Sequence, residues 1–579
     1  MKTRYISLII LLLVSFAGCQ KDALDTTPVD KIDAAVFFNT ATDLEVYTNK
    51  FYDMLPDFNL YVDDTSTDNA IALTVADRVK GTRVLPASRT GTKWIWDDLR
   101  SINYFLANYE KCKDAAAKAK FSGIARFFRA YFYYDRVKTF GDVPLYTKVL
   151  EAEDPDLYKA RDSRKVVMAQ VLEDINYAIA NIPKEVQLNR ITKHTALLLK
   201  ARICLFEGTF RKYHKLGDHD AFLKEAAAAS EELITSGAYK LYTAGGVNVA
   251  YRDLFARSDQ EPTETILARD YNPTFGRHGL SYLMTAPTAG VYGIPKDMID
   301  SYLMKDGSKF TNQANYQTKG FYEEMQNRDP RLYQTTPGPD YAPYGETARE
   351  AVNLNITTTG YRIIKGLTTR DQWGPTSSYN DVIIFRLAEA LLIFAEAKAE
   401  LGTLTQADLD KSINKLRERV GMPNLILTAA NAAPDAFLAS FYPNVDAGAN
   451  KGVILEIRRE RRIEMFNEGL RWDDLMRWKE GKKLEKPMVG IYFSGLGSHD
   501  FNNDGKADVF LHTGVATGAP AGTSSIINVN QKRLTNTTSG NFNPLVTTPR
   551  TFNETKDYYY PIPVQELALN KNLVQNPGW

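Results

Sequence analysis

The chain has 579 residues but only three cysteines, Cys19, Cys112 and Cys204. So few cannot build a disulfide framework. Cys112 and Cys204 fall in helical patterns, and a bridge between them stays open at this level. Net charge is missing too. Lys and Arg number 71 against 70 Asp and Glu, a formal +1. That balance argues against a general polyanion binder and gives no nucleic-acid partner. The six histidines show no ligand spacing. Gly495-Leu496-Gly497 lacks a third glycine and a following helix, and there is no P-loop, no G-x-S-x-G and no H-E-x-x-H. The one apolar run at the start, Ile6 to Phe16, is too short to span a bilayer as a mature helix.

What is present centres on Ile454 to Trp478, ILEIRRERRIEMFNEGLRWDDLMRW. It has no Pro and a late Gly469, so Ile454 to Glu468 reads as helix. Glu456, Glu460, Glu464 and Glu468 form one acidic stripe. Arg458, Arg459, Arg461 and Arg462 fall opposite, and the apolar residues are scattered around the circumference. A surface helix would segregate them. This helix therefore needs neighbours on several sides, with its charges paired, because an unpaired buried charge costs several kcal/mol. Arginine suits that task with its planar two-bond fork. A structural ion-pair lattice is the plainest reading. A glutamate pair for acid–base catalysis is weaker, since nothing selects two of the four. A nucleic-acid patch is weaker still, because glutamates cancel the arginines.

The chain begins with a targeting segment. Lys2 and Arg4 precede the apolar run, which ends in Phe16-Ala17-Gly18-Cys19. Small residues before a Cys resemble a bacterial lipobox, with residues 1–18 as signal peptide and Cys19 the lipidated (palmitate-type) residue. The runner-up is a plain secretory signal with an incidental Cys. Gln20-Lys21-Asp22 resembles a surface-export signal, and Asp25 to Asp30 reads as part of a tether over 19–40. Helices are predicted over Asp43–Leu55, Trp94–Lys111, Phe121–Phe140, Ser163–Asn181, Thr192–Glu207 and Ala221–Thr235. Ala130, Ala196, Ala201 and Ala228 sit at expected close contacts. The fold class is mainly α, a tetratricopeptide-like helical repeat scaffold with long loop-rich insertions. From Gly245 to Asn380 Gly, Pro, Thr and Tyr rise, and this stretch is the candidate ligand region. Exposed aromatics are expected there at Tyr271, Tyr292, Tyr341, Tyr344 and Trp373. Asp381–Leu401 and Gln406–Arg419 return to helix, and Gly490–Thr548 is again irregular.

IRRERRIEMFNEGLRWDDLMRW resembles the late helical motif of the SusD/RagB family, outer-membrane nutrient-binding lipoproteins of Bacteroidetes. RFFRAYFYYDRVKTFGDVPL (from Arg126), Arg386 to Ala397, Tyr560-Pro561-Ile562-Pro563 and Gln575-Asn576-Pro577-Gly578-Trp579 match further landmarks in order. The resemblance implies one SusD-like domain over 41–579, with parts 41–244, 245–380, 381–480 and 481–579. It also implies a surface-exposed outer-membrane lipoprotein that is not an enzyme. Such a protein captures a glycan or similar oligomer and passes it to a SusC-like TonB-dependent transporter. The alternatives are an all-helical glycan hydrolase and a protein-only adaptor of the transport complex. Ligand contacts are expected at Asp68 and Asn69 in the DDTSTDN loop, and at Trp94, Tyr292 and Trp373, because sugar C–H faces stack on aromatics while hydroxyls need convergent polar groups.

One motif stands apart. Asp500, Asn502, Asp504 and Asp508, with the Lys506 carbonyl, put oxygens at alternate positions around Gly505. This resembles D-x-N-x-D-G-x-x-D calcium loops, without the closing Glu of an EF-hand. A structural Ca²⁺ pinning the loop and a plain Asp/Asn/Gly turn are both open.

Overall fold

A computed structural model describes residues 37–445 and 448–579. Residues 1–18, Cys19 and nearly all of the expected tether lie outside the described residues.

The helices form where spacing and caps agree. They are α1 (Ala41–Asn49), α2 (Asp97–Asn108), α3 (Ala115–Phe140), α4 (Arg164–Asn181), α5 (Lys193–Tyr213) and α6 (His219–Thr235). Asp114 accepts from the Ala117 amide and so starts α3 six residues before the expected Phe121. Ser163 caps α4, and Thr192 with Thr195 forms a reciprocal capping box on α5. Helices α3 and α4 pack as one pair, α5 and α6 as the next. Glycines set the closest approaches. A Cβ on Gly123 would stand 2.8 Å from Ile182, and one on Gly208 2.8 Å from Leu223. Ala130, Ala196 and Ala201 are buried as expected, whereas Ala228 faces solvent and Ala226 and Ala229 take the inward positions. Buried ion pairs staple the layers: Arg129 to Asp174 at 2.7 Å and Arg164 to Glu207 at 2.6 Å. Cys112 and Cys204 are both free and buried.

The last residues finish α3. Its terminal carbonyls lack helical partners. The Tyr560 amide donates to Thr139 O at 2.8 Å, and Asn576 Nδ2 donates to Phe140 O at 3.0 Å. Gly141 turns the chain there with φ +75°, and a Cβ would meet the Tyr559 ring at 3.1 Å. The Phe-Gly-Asp and Asn-Pro-Gly-Trp signatures are thus two halves of one helix cap.

The expected helix over Asp381–Leu401 is corrected at its start. Val382–Arg386 is strand β2, antiparallel to β1 (Thr265–Arg269), and helix α7 runs only from Leu387 to Glu400. All five β2 residues are buried. A strand apolar on both faces carries no alternation to separate it from helix. The region 490–548 is not wholly irregular. It holds two three-stranded sheets, ordered β3 (Tyr492–Phe493), β8 (Ser539–Phe542), β7 (Leu534–Asn536) and β4 (Gly497–His499), β5 (Val509–His512), β6 (Ser525–Asn528).

Helix α8 (Lys451–Glu464) joins these parts. Every residue from Gly452 to Glu464 is buried. It ends earlier than expected, because Asn467 and Gly469 take left-handed conformations. Its apolar residues divide between two cores. Val453, Ile454, Leu455 and Ile457 join the helical scaffold's core, while Ile463 joins the core of the loop-rich region, as does Phe466 just beyond the helix. The charges are paired, as the scattered pattern required. Glu464 accepts from Arg419 at 2.6 Å, Arg386 at 2.7 Å and Arg331 at 3.1 Å. Glu460 takes Arg331 at 2.5 Å and Arg417 at 3.1 Å. Arg461 bonds Asp474 at 2.9 Å, and Arg458 lies over the Trp478 ring at 4.3 Å. Glu468, off the helix, still reaches Arg386 and Lys365. Among the described residues no helix is long and apolar enough to cross a membrane.

Candidate functional site

The lattice also positions a pocket in the loop-rich region. Tyr251, in the short helix Ala250–Ala256, is fully buried, and its hydroxyl donates to Glu464 O at 2.7 Å. That bond fixes the short helix against the end of α8. The next two residues, Arg252 and Asp253, then lie in the wall of a cavity of about 670 Å³. The opposite wall is a flap over residues 338–350 that carries Tyr341 and Tyr344, with Tyr333 beside it. The volume is of the size that takes small ligands.

Asp253 organises the aromatic wall. Tyr344 donates to its Oδ1 and Tyr242 to its Oδ2, both at 2.5 Å. Arg257 in turn donates to the Tyr242 hydroxyl at 3.1 Å. Burial, and after it the Asp253 carboxylate, raises both phenols; Tyr242 is pushed up to about 12. Both therefore stay protonated donors, and Tyr344 is held in one orientation. The flap is fastened from outside. Arg370 donates to Glu346 at 2.5 Å and also to Glu350. Arg349 donates from Nε to Pro339 O at 2.9 Å and from Nη2 to both Asp508 oxygens at 3.1 and 3.2 Å. The arrangement offers ring faces, phenol hydroxyls and a guanidinium. Three carboxylates line it: Asp253 accepts from two phenols, Glu346 accepts from Arg370, and Asp340 is exposed at the rim.

The five expected contact residues do not come together. Asp68 and Asn69 are 2% and 1% exposed. Asp68 pairs with Arg471 at 2.7 Å and Lys483 at 2.5 Å, and Asn69 accepts from Arg462 at 2.8 Å. Their expected place on a ligand surface is corrected: they are partners in the α8 lattice, with no face for a ligand. The polar DDTSTDN composition signalled buried charge, not solvent. Trp94 is 2% exposed, yet it walls a separate cavity of about 400 Å³ on the helical scaffold, with Trp96 and Tyr146. Tyr292 is half-buried and packs over Gly290, where a Cβ would stand 2.3 Å from its ring. Trp373 is half-buried, donates to Thr368 O at 2.9 Å and lies under Arg370 at 4.8 Å, so it backs the flap's fastening. Of the expected aromatics, Tyr341 and Tyr344 do line the pocket, although Tyr341 is 6% exposed. Sequence reasoning missed Arg252 and Asp253. In a short helix they look like solvated charges, and their partners lie about ninety positions away.

The calcium motif is closed by its own amides. Asp500 accepts from the amides of Asn502 at 3.0 Å, Asn503 at 2.6 Å and Gly505 at 2.7 Å. Asp504 accepts from the Lys506 amide at 2.9 Å, and Asp508 faces Arg349 and the Phe501 amide. Among the described residues no three His, Cys, Asp or Glu gather as a metal-holding group. These contacts suit both readings of Asp500, Asn502, Asp504, Lys506 and Asp508, a plain turn and a Ca²⁺ loop, since a carboxylate oxygen that accepts an amide keeps a lone pair for a cation.

A family profile described as "SusD family" matches residues 255–579, more than half of the chain. The chain belongs to the SusD family. A second profile, described as "Starch-binding associating with outer membrane", matches residues 34–205. SusD-like protein P38 of Formosa agariphila is 24% identical over 526 residues, spanning 85% of this chain and 94% of that protein. A SusD-like protein from Bacteroides fragilis superposes with a TM-score of 0.70 at 21% identity, over 96% of this chain and 100% of its own. A SusD-like carbohydrate-binding protein from the same species gives 0.69 at 21% identity, over 93% and 100%. A laminarin-binding SusD-like protein gives 0.54 at 18% identity, over 93% and 100%. These structures share the mainly helical, tetratricopeptide-like fold of this SusD-family chain.

Proposed function

We propose that this SusD-family chain binds a glycan without cleaving it and delivers it to a SusC-like TonB-dependent transporter. In this reading it is held at the outer-membrane surface by acylated Cys19. The observation that carries the binding step is the pocket beside the flap: half-buried Tyr333 and Tyr344 rings for sugar C–H surfaces, with Tyr344 fixed by Asp253. The carbohydrate-binding relatives and the outer-membrane description of the second profile support the same direction. Half-buried Tyr292 and Trp373 are proposed as outlying contacts.

The test is a glycan array probed with the purified chain, followed by calorimetry on the strongest binder. Tyr344→Ala is expected to weaken binding about tenfold or more, as losing a stacking platform does. Asp253→Asn should weaken it less while leaving the fold intact, and Trp373→Ala should act only if the ligand reaches beyond the flap. Full affinity in Tyr344→Ala would move the site elsewhere. Release of shorter oligosaccharides by the purified chain would replace binding with hydrolysis. Co-purification with the transporter from outer membranes, lost in Cys19→Ala, tests anchoring and partner together.

A further inference from the structure

A second cavity, of about 600 Å³, lies against the helical scaffold and shares no lining residue with the flap pocket. One wall is the C-terminal end of α3, with Tyr131, Tyr134 and Lys138. Another is the short helix Arg471–Arg477, with Trp472 and Asp473. Lys138 covers the Tyr134 ring at 4.7 Å, and Arg78 covers the Trp472 ring at 4.7 Å. Tyr131 is different. It is half-buried, and among the described residues no cation or second ring stacks on it. Neither the Tyr131 nor the Tyr134 hydroxyl has a hydrogen-bond partner among the described residues, and burial raises both phenols, so both remain donors. An open Tyr ring and two unanswered hydroxyls in one cavity are completed by water or by a ligand.

Every charge that lines this cavity is paired. Lys138 bonds Asp473 at 2.6 Å, Lys93 bonds Asp135 at 2.7 Å and Arg78 bonds Asp63 at 2.9 Å. Arg83 holds Asp557 at 2.9 Å, Arg202 holds Glu389 at 2.6 Å, and Asp77 pairs with Lys80 at 2.9 Å. An anion would have to displace a carboxylate from its cation, and a cation the reverse, so the cavity favours neither. The pairs nevertheless leave hydrogen-bonding capacity over. Asp473 uses Oδ2 for Lys138, and Asp63 uses Oδ1 for Arg78, so one oxygen of each still accepts. Lys138 uses only one of its three N–H groups. Spare donors and spare acceptors without net charge match hydroxyl groups, which both donate and accept. The open Tyr131 ring matches the C–H face of a sugar.

We propose that this cavity is a second saccharide site, taking a neutral oligosaccharide with Tyr131 as its stacking platform and the Lys138–Asp473 pair as hydroxyl contacts. It lies beyond the flap pocket and does not depend on it. The full mature chain is titrated by calorimetry with four neutral probes: maltotetraose, cellotetraose, laminaritetraose and mannotetraose. At least one should bind with an affinity that stays the same between 50 and 500 mM NaCl, because the ligand carries no charge to screen. Tyr131→Ala should weaken that binding about tenfold or more, while Tyr344→Ala leaves it unchanged. If Tyr131→Ala does not fold, Tyr131→Phe, which deletes only the unpartnered hydroxyl, should still weaken the probe a few-fold. Binding lost in Tyr344→Ala but unmoved in both Tyr131 variants overturns the proposal and leaves the flap pocket standing. Binding lost in Tyr131→Ala but unmoved in Tyr344→Ala upholds it and removes the flap pocket instead. Binding of none of the four, or a severalfold fall with salt, also overturns it.

Discussion

Single residues in the α8 lattice show two opposite electrostatic situations. Burial alone would raise the Glu464 carboxyl, but Arg419, Arg386 and Arg331 hold it well below the usual carboxylate range. Asp64, a few residues from Asp68, has no such cations in contact. It accepts from Asn69 Nδ2 at 2.9 Å and the Asn467 amide at 2.8 Å, its Oδ1 is unpartnered, and burial pushes it up to about 6. The folded state therefore holds a proton there that the unfolded chain releases near pH 4. That proton stabilises the fold at low pH, and the contribution is lost as pH rises through 6. Two pH units correspond to on the order of 2–3 kcal/mol. Asp64→Asn should therefore be more stable relative to wild type at pH 8 than at pH 4.5. Urea unfolding at the two pH values checks it, and a pH-independent difference would rule it out. At this scale the lattice was legible, because four glutamates and four arginines on an apolar-studded helix have nowhere else to go. The site was half legible: Tyr341 and Tyr344 stood out by type in a loop-rich stretch, but Arg252 and Asp253 gain meaning only through partners brought together by the fold.

Among elements, the loop over 500–508 is tied to the candidate pocket rather than isolated. Asp508 holds Arg349, and Arg349 holds Pro339 O in the flap. Arg349→Met and Asp508→Asn should each speed amide hydrogen exchange in 338–350 about tenfold, the effect of losing a charge-assisted bond of some 1.5 kcal/mol. The double variant should be no faster than either single one, because both break one link. Exchange confined to 500–508 would show that the loop and the flap move independently. Since Asp500 and Asp504 already serve the loop's own amides, a chelator should leave the melting temperature within about a degree. A fall of several degrees would instead establish the calcium reading. The motif's ligand spacing was visible in the sequence, but Arg349, some 160 positions earlier, was not. Elsewhere the same limit applied. Helices with caps and a 3.6 period were readable to within about two turns, while β2, buried on both faces, had no period to read and merged with α7.

Across the molecule, the two hydrophobic cores meet at α8 and along β2, where Val382 and Ile383 join one core and Ile384 and Phe385 the other, and the ionic lattice sits on that joint between the scaffold and the loop-rich region. Its carboxylates set the pH response. Against the burial that would raise them, Asp68, Glu396, Glu464, Glu468 and Asp474 are held low by the arginines and lysines around them. Their contribution is complete above the unfolded carboxylate range and is lost as pH falls through their depressed values. Burial pushes Asp64 and Asp381 up to about 6, and Asp300 and Glu480 to about 7. These four favour the fold while protonated and lose that contribution as pH rises from about 4 to about 7. The two sets overlap in one window. Melting temperature should therefore peak near pH 5, fall toward pH 7 and level off above it, and fall again below pH 4, where several arginines lose their partners together. Because the lattice touches both cores, the acid transition should be single. Tryptophan fluorescence reports Trp94 and Trp96 in the scaffold as well as Trp472 and Trp478 beside the lattice. Hydrogen exchange in 250–256 and 338–350 reports the pocket. Coincident midpoints are expected for all of them. A pocket that opens at higher pH than the scaffold would mean that the lattice does not couple them.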